Sequence, residues 1–291
     1  SRNIRMRGSL KTIHYGTTIS PSTSKNIICR FEPKLDAQIT SKRFDLPILK
    51  GNMPSISAIL TVSSNLHALK LWQHKMINTM GMAGFRKWMT GRVTSGTKYH
   101  SAMEMLVLEA YEGRLTSSDE SILSRVDVRA QSYVRSSLPI LRSLHLNKEI
   151  SPLLEMNLSH PLLGYRGRFD AAIALEEGLT LIDWKTSSAG SSISNSLEKD
   201  SFTSDSLYSY PSQMAAYVGA FNASQQFNQY PQITRALIVI ASETGKEANV
   251  VEIKGDELEK YWNEWKGRVA KFWSYINSCD DREEDTVDVR Y

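Results

Sequence analysis

The sequence predicts an α/β fold, a mixed β-sheet flanked by helices and preceded by a helical region. Three observations carry this. Residues 54–146 place apolar side chains at helical spacing, 153–184 and 236–253 hold short strand-like runs, and 256–273 return to helical spacing. The chain has 291 residues and a hydrophobic fraction of 41%, enough to bury a sizeable core. We expect a basic arm and irregular connection over 1–53 and a single domain over 54–277. That domain divides into a helical part (54–146) and a sheet-containing part (153–277), with an acidic tail over 278–291.

Taken in order, residues 1–31 carry Arg2, Arg5, Arg7, Lys11, Lys25 and Arg30 and no acid. A basic, Ser-rich, acid-poor start is how a mitochondrial presequence or its flank looks; a flexible basic arm fits equally. Pro54-Ser55 opens a helical region, and Leu66, Leu69, Trp72, Met76 and Met80 form a stripe expected in the core. Gly81 and Gly84 should break it, with a new helical piece from Phe85. Gly96-Thr97-Lys98-Tyr99-His100 leads into a helix to about Tyr111, which puts His100 near a helix N-terminus on the face of Met103, Val107 and Ala110. A satisfied core histidine competes with a metal ligand there. Lys98 and free helix N–H groups would suit a phosphate. Residues 118–146 read as one long helix with Ile122, Val126, Ala130, Tyr133 and Leu141 inward. Arg125, Arg129, Arg135 and Arg142 stud it, as a nucleic-acid guide or a solvated face.

Leu153 to Leu158 is a strand carrying Glu155. Gly164 to Leu175 and Leu179 to Trp184 form a hairpin about Glu176-Glu177-Gly178. Residues 187–210, rich in Ser, Asp and Tyr, read as a long loop that would act as a lid or admit a strand. Pro211 starts a helix in which Gln213 and Tyr217 share a face. Ala236 to Ala241 and Val250 to Ile253 are strands. Asp256 caps a closing helix whose Leu258, Trp262, Trp265, Val269, Phe272 and Trp273 belong to the core.

Charge and composition narrow the function. Net charge is +4, but leaving out residues 280–291 gives 33 basic against 25 acidic residues, a balance that fits a polyanionic partner. There is no apolar run of eighteen residues, so no membrane span is expected. Two cysteines, Cys29 and Cys279, are too few for a disulfide framework or a four-cysteine iron–sulfur cluster, and weakly favour a reducing compartment. No P-loop, G-x-S-x-G or H-E-x-x-H is present, so no nucleoside triphosphate is expected.

The chemistry centres on the hairpin. Strand alternation puts Asp183 and Lys185 on one face, with Trp184 on the other, and Asp170 on the partner strand within reach. Paired carboxylates repel unless a divalent cation joins them, and hard oxygen donors suit Mg²⁺ or Mn²⁺. A neighbouring lysine would stabilise charge in a phosphodiester hydrolysis, or orient or deprotonate the attacking water if its pKa is lowered. A surface ion pair between Asp183 and Lys185 is the plain alternative.

Gly167-x-x-Asp170, Ile182-Asp183-Trp184-Lys185-Thr186, Gln213-x-x-x-Tyr217 and Gly96-x-x-x-His100, in this element order, resemble the PD-(D/E)XK nuclease superfamily and its RecB-type branch. The resemblance runs roughly from Pro54 to Trp273. It implies a restriction-endonuclease-like core and a Mg²⁺- or Mn²⁺-dependent exonuclease acting on single-stranded DNA with free ends. Asp170, Asp183 and His100 would hold metal and, with Lys185, form the catalytic set. Gln213, Tyr217, Lys98 and Arg168 would contact nucleic acid or brace the site, and Glu155 is a further acid of less definite role. A monomer in the mitochondrial matrix is expected, with no membrane partner. Two other readings share these residues: a nuclease-fold nucleic-acid-binding module without cleavage, and an RNA or structure-specific endonuclease.

Overall fold

Strands β2 (Tyr165–Leu175) and β3 (Gly178–Ser187) form the predicted hairpin, closed by Glu176 and Glu177 with Gly178 at φ 114°. The computed structural model describes residues 53–64, 66–187 and 202–279. The basic arm over 1–52, the tail over 280–291 and loop residues 188–201 lie outside the described residues.

The sheet has the order β1-β2-β3-β4-β5, with β1 at Leu153–His160, β4 at Arg235–Ser242 and β5 at Asn249–Lys254. Only β3 and β4 run parallel; the other neighbours are antiparallel. The parallel step needs a crossover, supplied by α5 (Phe202–Ala223). Along β4 the alternation is strict. Ala236, Ile238 and Ile240 enter one core, and Leu237, Val239 and Ala241 enter the other. The first core packs against α1 (Ile56–Ser63), α5 and α6 (Gly255–Cys279); the second packs against the end of α2 (Leu66–Tyr111), α3 (Asp119–Ser124) and α4 (Gln131–Ser143). Leu258, Trp262, Trp265, Val269, Phe272 and Trp273 are buried, as their spacing predicts. Burying each such large apolar side chain contributes roughly 1.5–3 kcal/mol.

Alternation breaks at one row. On β2, Tyr165 and Phe169 share the first core with Ala172 and Ala174, so the facing parity inverts at Asp170. On β1, Met156 and Leu158 share that core with Leu153, so it inverts at Glu155. The flanking pairs Leu154↔Ala171 and Met156↔Phe169 put Glu155 and Asp170 opposite each other. Glu155 has φ 52°, the only positive value at a non-glycine among the described residues. The pleat is reset at this row, and neither acid belongs to a core.

Five helical expectations are corrected. Gly81 (φ 73°, ψ 162°) breaks α2, but Gly84 and Gly96 do not, because no neighbouring chain forces a departure from the helix. The two limbs fold back on each other. Trp72 and Trp88 have ring centroids 6.1 Å apart, where an unbroken helix would separate them by about 24 Å. Phe85 completes this aromatic staple and Arg92 lies over Trp88. Trp72, Met76 and Met80 are only half-buried and join neither core; the side chains of Leu66 and Leu69 lie outside the described ones. Residues 118–146 form two helices, not one, because the segment between α3 and α4 turns at Asp127, whose carboxylate accepts from the Arg129 amide. The inward set Ile122, Val126, Ala130, Tyr133 and Leu141 is nonetheless buried. Helix α5 begins at Phe202, so 202–210, expected as loop, are helical, with Pro211 inside the helix. Asp256 lies in the first turn of α6 and does not precede it.

Candidate active site

Backbone pairing between β2 and β3 ends at Ala171↔Ile182. One step further, Asp170 and Asp183 oppose each other with no ladder between them. Instead the Trp184 amide donates to Asp170 Oδ2 at 2.8 Å. The side chain takes the place of a carbonyl, so the strands part where the carboxylates meet.

Six charged or ionisable groups converge here. His100, from the second limb of α2, has Nδ1 3.3 Å from Asp170 Oδ1 and 3.9 Å from Glu155 Oε1. Lys185 Nζ lies 2.5 Å from Asp183 Oδ2. Arg168 Nε lies 2.7 Å from Glu155 Oε2 and donates to the Glu155 carbonyl at 3.1 Å. Ligand atoms of His100, Glu155 and Asp170 all lie within 4.8 Å of one another. Asp183 is the deepest of the acids, and the contact of its buried Oδ2 with Lys185 misses hydrogen-bond geometry.

Electrostatics separates the groups. Burial pushes the Asp183 carboxyl up, to about 6, against the pull of Lys185 and with the help of Asp170. For Asp170, burial also pushes upward. The hydrogen bond and charge of His100, the charge of Lys185 and the Trp184 amide outweigh it and hold the carboxyl low. His100 moves the other way: burial lowers it, but Asp170 and Asp183 together raise it. Burial would lower Lys185, yet the charges of Asp183 and Asp170 raise it well above the usual lysine value. The two carboxylates therefore hold Lys185 protonated, the direction opposite to the lowered value that a lysine base needs. Burial, then the Asp170 charge, raises Glu155 against the pull of Arg168.

Helix α5 covers the Asp183–Lys185 side. The Tyr210 ring centroid is 5.1 Å from Lys185 Nζ. Gln213 Nε2 donates to Tyr217 Oη at 3.1 Å, and Tyr217 is buried. Burial and the Asp183 charge raise its phenol, so the hydroxyl keeps its proton. Gly167 lets the helix come this close. A Cβ there would sit 2.7 Å from Tyr217 Cε1 and 2.7 Å from Ile56 Cδ1.

Lys98 stands elsewhere. It lies within a continuous helical limb, so the expected helix N-terminus at 97–100 does not exist; its Nζ is 3.8 Å from Asp127 Oδ2. Arg125 and Arg142 are drawn into ion pairs with Glu109 and Asp119.

No family model matches the chain. It is 25% identical to the human protein "Mitochondrial genome maintenance exonuclease 1" over 82% of this chain and 63% of that protein. The Xenopus tropicalis and mouse proteins of the same name are each 26% identical, over 88% and 83% of this chain and 70% and 64% of their own lengths. The chain resembles the mitochondrial genome maintenance exonucleases. Its match spans less than two thirds of the human and mouse proteins.

The structure brings together His100, Arg168, Asp170, Asp183, Lys185, Gln213 and Tyr217. Tyr210 joins them from a segment read as loop. Glu155, named from the sequence as a further acid of less definite role, joins them through its place opposite Asp170, which depends on the β1–β2 register.

Proposed function

We propose that the protein is a divalent-cation-dependent exonuclease that hydrolyses phosphodiester bonds of single-stranded DNA from free ends. It serves mitochondrial DNA maintenance in the matrix, with Mg²⁺ or Mn²⁺ as cofactor, and works as a monomer. The observation that carries this reading is the meeting of Asp170 and Asp183 where the strands part, with Lys185 2.5 Å from Asp183. The names of the similar exonucleases support it.

The donor set fits a hard divalent cation. Carboxylate oxygens and one imidazole nitrogen gather, and a deeply buried Asp183 oxygen ionises reluctantly until more positive charge arrives. Asp170, Asp183 and His100 would hold the ion. Such an ion, when bound, lowers the pKa of a water molecule and withdraws charge from the scissile phosphate.

The chain's own groups do the rest. Lys185, held protonated, neutralises negative charge that accumulates on the phosphate in the transition state. Asp170, fixed by the Trp184 amide and His100, keeps its carboxylate ionised and oriented. Arg168 presents a guanidinium to an incoming phosphate. Tyr217 and Gln213 brace α5 against the site. The α2 hairpin supplies a guiding surface. Residues 46–103 contain no acid, and the second limb leads directly to His100.

The test is a single-stranded DNA labelled at one end, then at the other, and the same sequence closed into a circle, with Mg²⁺, Mn²⁺ or EDTA. Loss of linear DNA, with the circle spared and EDTA blocking, is expected. Cutting of the circle would make it an endonuclease, and binding without cutting in either metal would make it a binding module.

A further inference from the structure

We propose that Glu155 is a further ligand of the cation centre and that Arg168 holds it in check, so that the guanidinium and the cation compete for one carboxylate. This rests on the reading of Asp170, Asp183 and His100 as a cation centre.

Geometry carries the first half. Glu155 lies opposite Asp170 at the row where the pleat is reset, and it belongs to neither core. It adopts φ 52°, a backbone state that is strained for a non-glycine residue and persists where the surroundings impose it. Glu155 Oε1 is 3.9 Å from His100 Nδ1, and a ligand atom of Glu155 lies within 4.8 Å of those of both His100 and Asp170. Among the described residues this is the one trio whose ligand atoms converge so closely. Asp183, one strand further, is not part of it.

The second half comes from Arg168. Its Nε is 2.7 Å from Glu155 Oε2 and also reaches the Glu155 carbonyl, so one nitrogen anchors on backbone and side chain of the same residue. A carboxylate paired in this way has already given up much of its attraction for a second positive charge. The guanidinium itself repels an ion drawn to the trio. Yet the Arg168 side chain is 59% exposed, free to turn to another anion. A phosphate takes a guanidinium in a forked, charge-assisted pair. A strand phosphate that draws Arg168 away therefore releases Glu155 to the cation. By linkage the cation strengthens strand binding by the same factor. The centre then fills firmly only when substrate is present.

The test measures Mn²⁺ binding to the full chain without DNA, by the paramagnetic resonance signal of free Mn²⁺. Four forms are compared: unmodified, Glu155→Gln, Arg168→Gln and the double variant, each checked for folding by thermal unfolding. Glu155→Gln should weaken binding, and Arg168→Gln should tighten it about fivefold or more, the low end of typical coupling. In the double variant the Arg168 effect should vanish, because the carboxylate it competes for is gone. An Arg168 effect that persists undiminished without Glu155 would make the guanidinium only a nearby charge and overturn the proposal. So would unchanged affinity in Glu155→Gln, or in Glu155→Asp should the glutamine variant not fold. Absence of Mn²⁺ binding in all four forms would remove the cation centre itself, a failure distinct from Mn²⁺ binding that ignores Glu155.

Discussion

The Trp184 amide donates to Asp170 Oδ2 at 2.8 Å, one step beyond the last β2–β3 pair. The bond orders the strand interruption. It satisfies an amide that the sheet leaves open and fixes a carboxylate at the gap. Trp184 itself is buried in the second core, so its backbone position is set by packing independent of the site's charges.

Gly167 is a packing requirement. Gly167→Ala puts a methyl group 2.7 Å from carbon atoms of Tyr217 and Ile56, and both side chains are buried. We expect a loss of about 1–3 kcal/mol in urea unfolding, as for overpacking. Cleavage should also fall, because α5 carries Tyr210 and Tyr217 over the site.

Tyr210 should act through its ring. A cation over an aromatic face is worth about 0.5–2 kcal/mol, which is roughly a few-fold to thirtyfold in rate if Lys185 loses its position. Tyr210→Phe should retain near-full cleavage and Tyr210→Leu should lose several-fold, with thermal stability little changed. Equal losses in both would assign the effect to the hydroxyl.

His160 makes stability depend on pH. It is buried, its Nδ1 accepts from the Leu162 and Leu163 amides, and its ring stacks on Trp262. Burial pushes its pKa down to about 3 from 6.5. The unfolded chain takes a proton that the folded chain refuses, so this contribution is complete above about 6.5 and is lost as pH falls toward about 3. Urea midpoints between pH 7 and pH 4 should fall further for the unmodified chain than for His160→Asn. The expected difference is about 3 kcal/mol.

Asp183→Asn keeps shape and removes charge. Divalent-cation-dependent cleavage should drop by about a hundredfold or more, with weaker Mn²⁺ binding. Normal rate and affinity would put the ligand elsewhere.

Much of this was legible beforehand for a physical reason. Strand parity links Asp183 with Lys185, and the Glu-Glu-Gly turn fixes the distance to Asp170, so local rules suffice for the hairpin. The aromatic spacing of α6 likewise announced its buried face. Trp72, Met76 and Met80 misled because helical periodicity reports an apolar face, not what covers it; here Trp72 meets Phe85 and Trp88 of the other limb of a hairpin. Glu155 was opaque because its role comes from cross-strand register and a backbone angle. The direction of the Lys185 shift could not be read either. It depends on two buried carboxylates winning over desolvation.

The central claim is that Lys185 is a protonated catalytic group beside the paired carboxylates. Single-turnover cleavage of end-labelled single-stranded DNA by Lys185→Ala, with DNA binding measured separately in Ca²⁺, tests it most directly. Near-normal binding is expected, with cleavage slower by about a hundredfold or more. Cleavage at a rate comparable to the unmodified chain would contradict it.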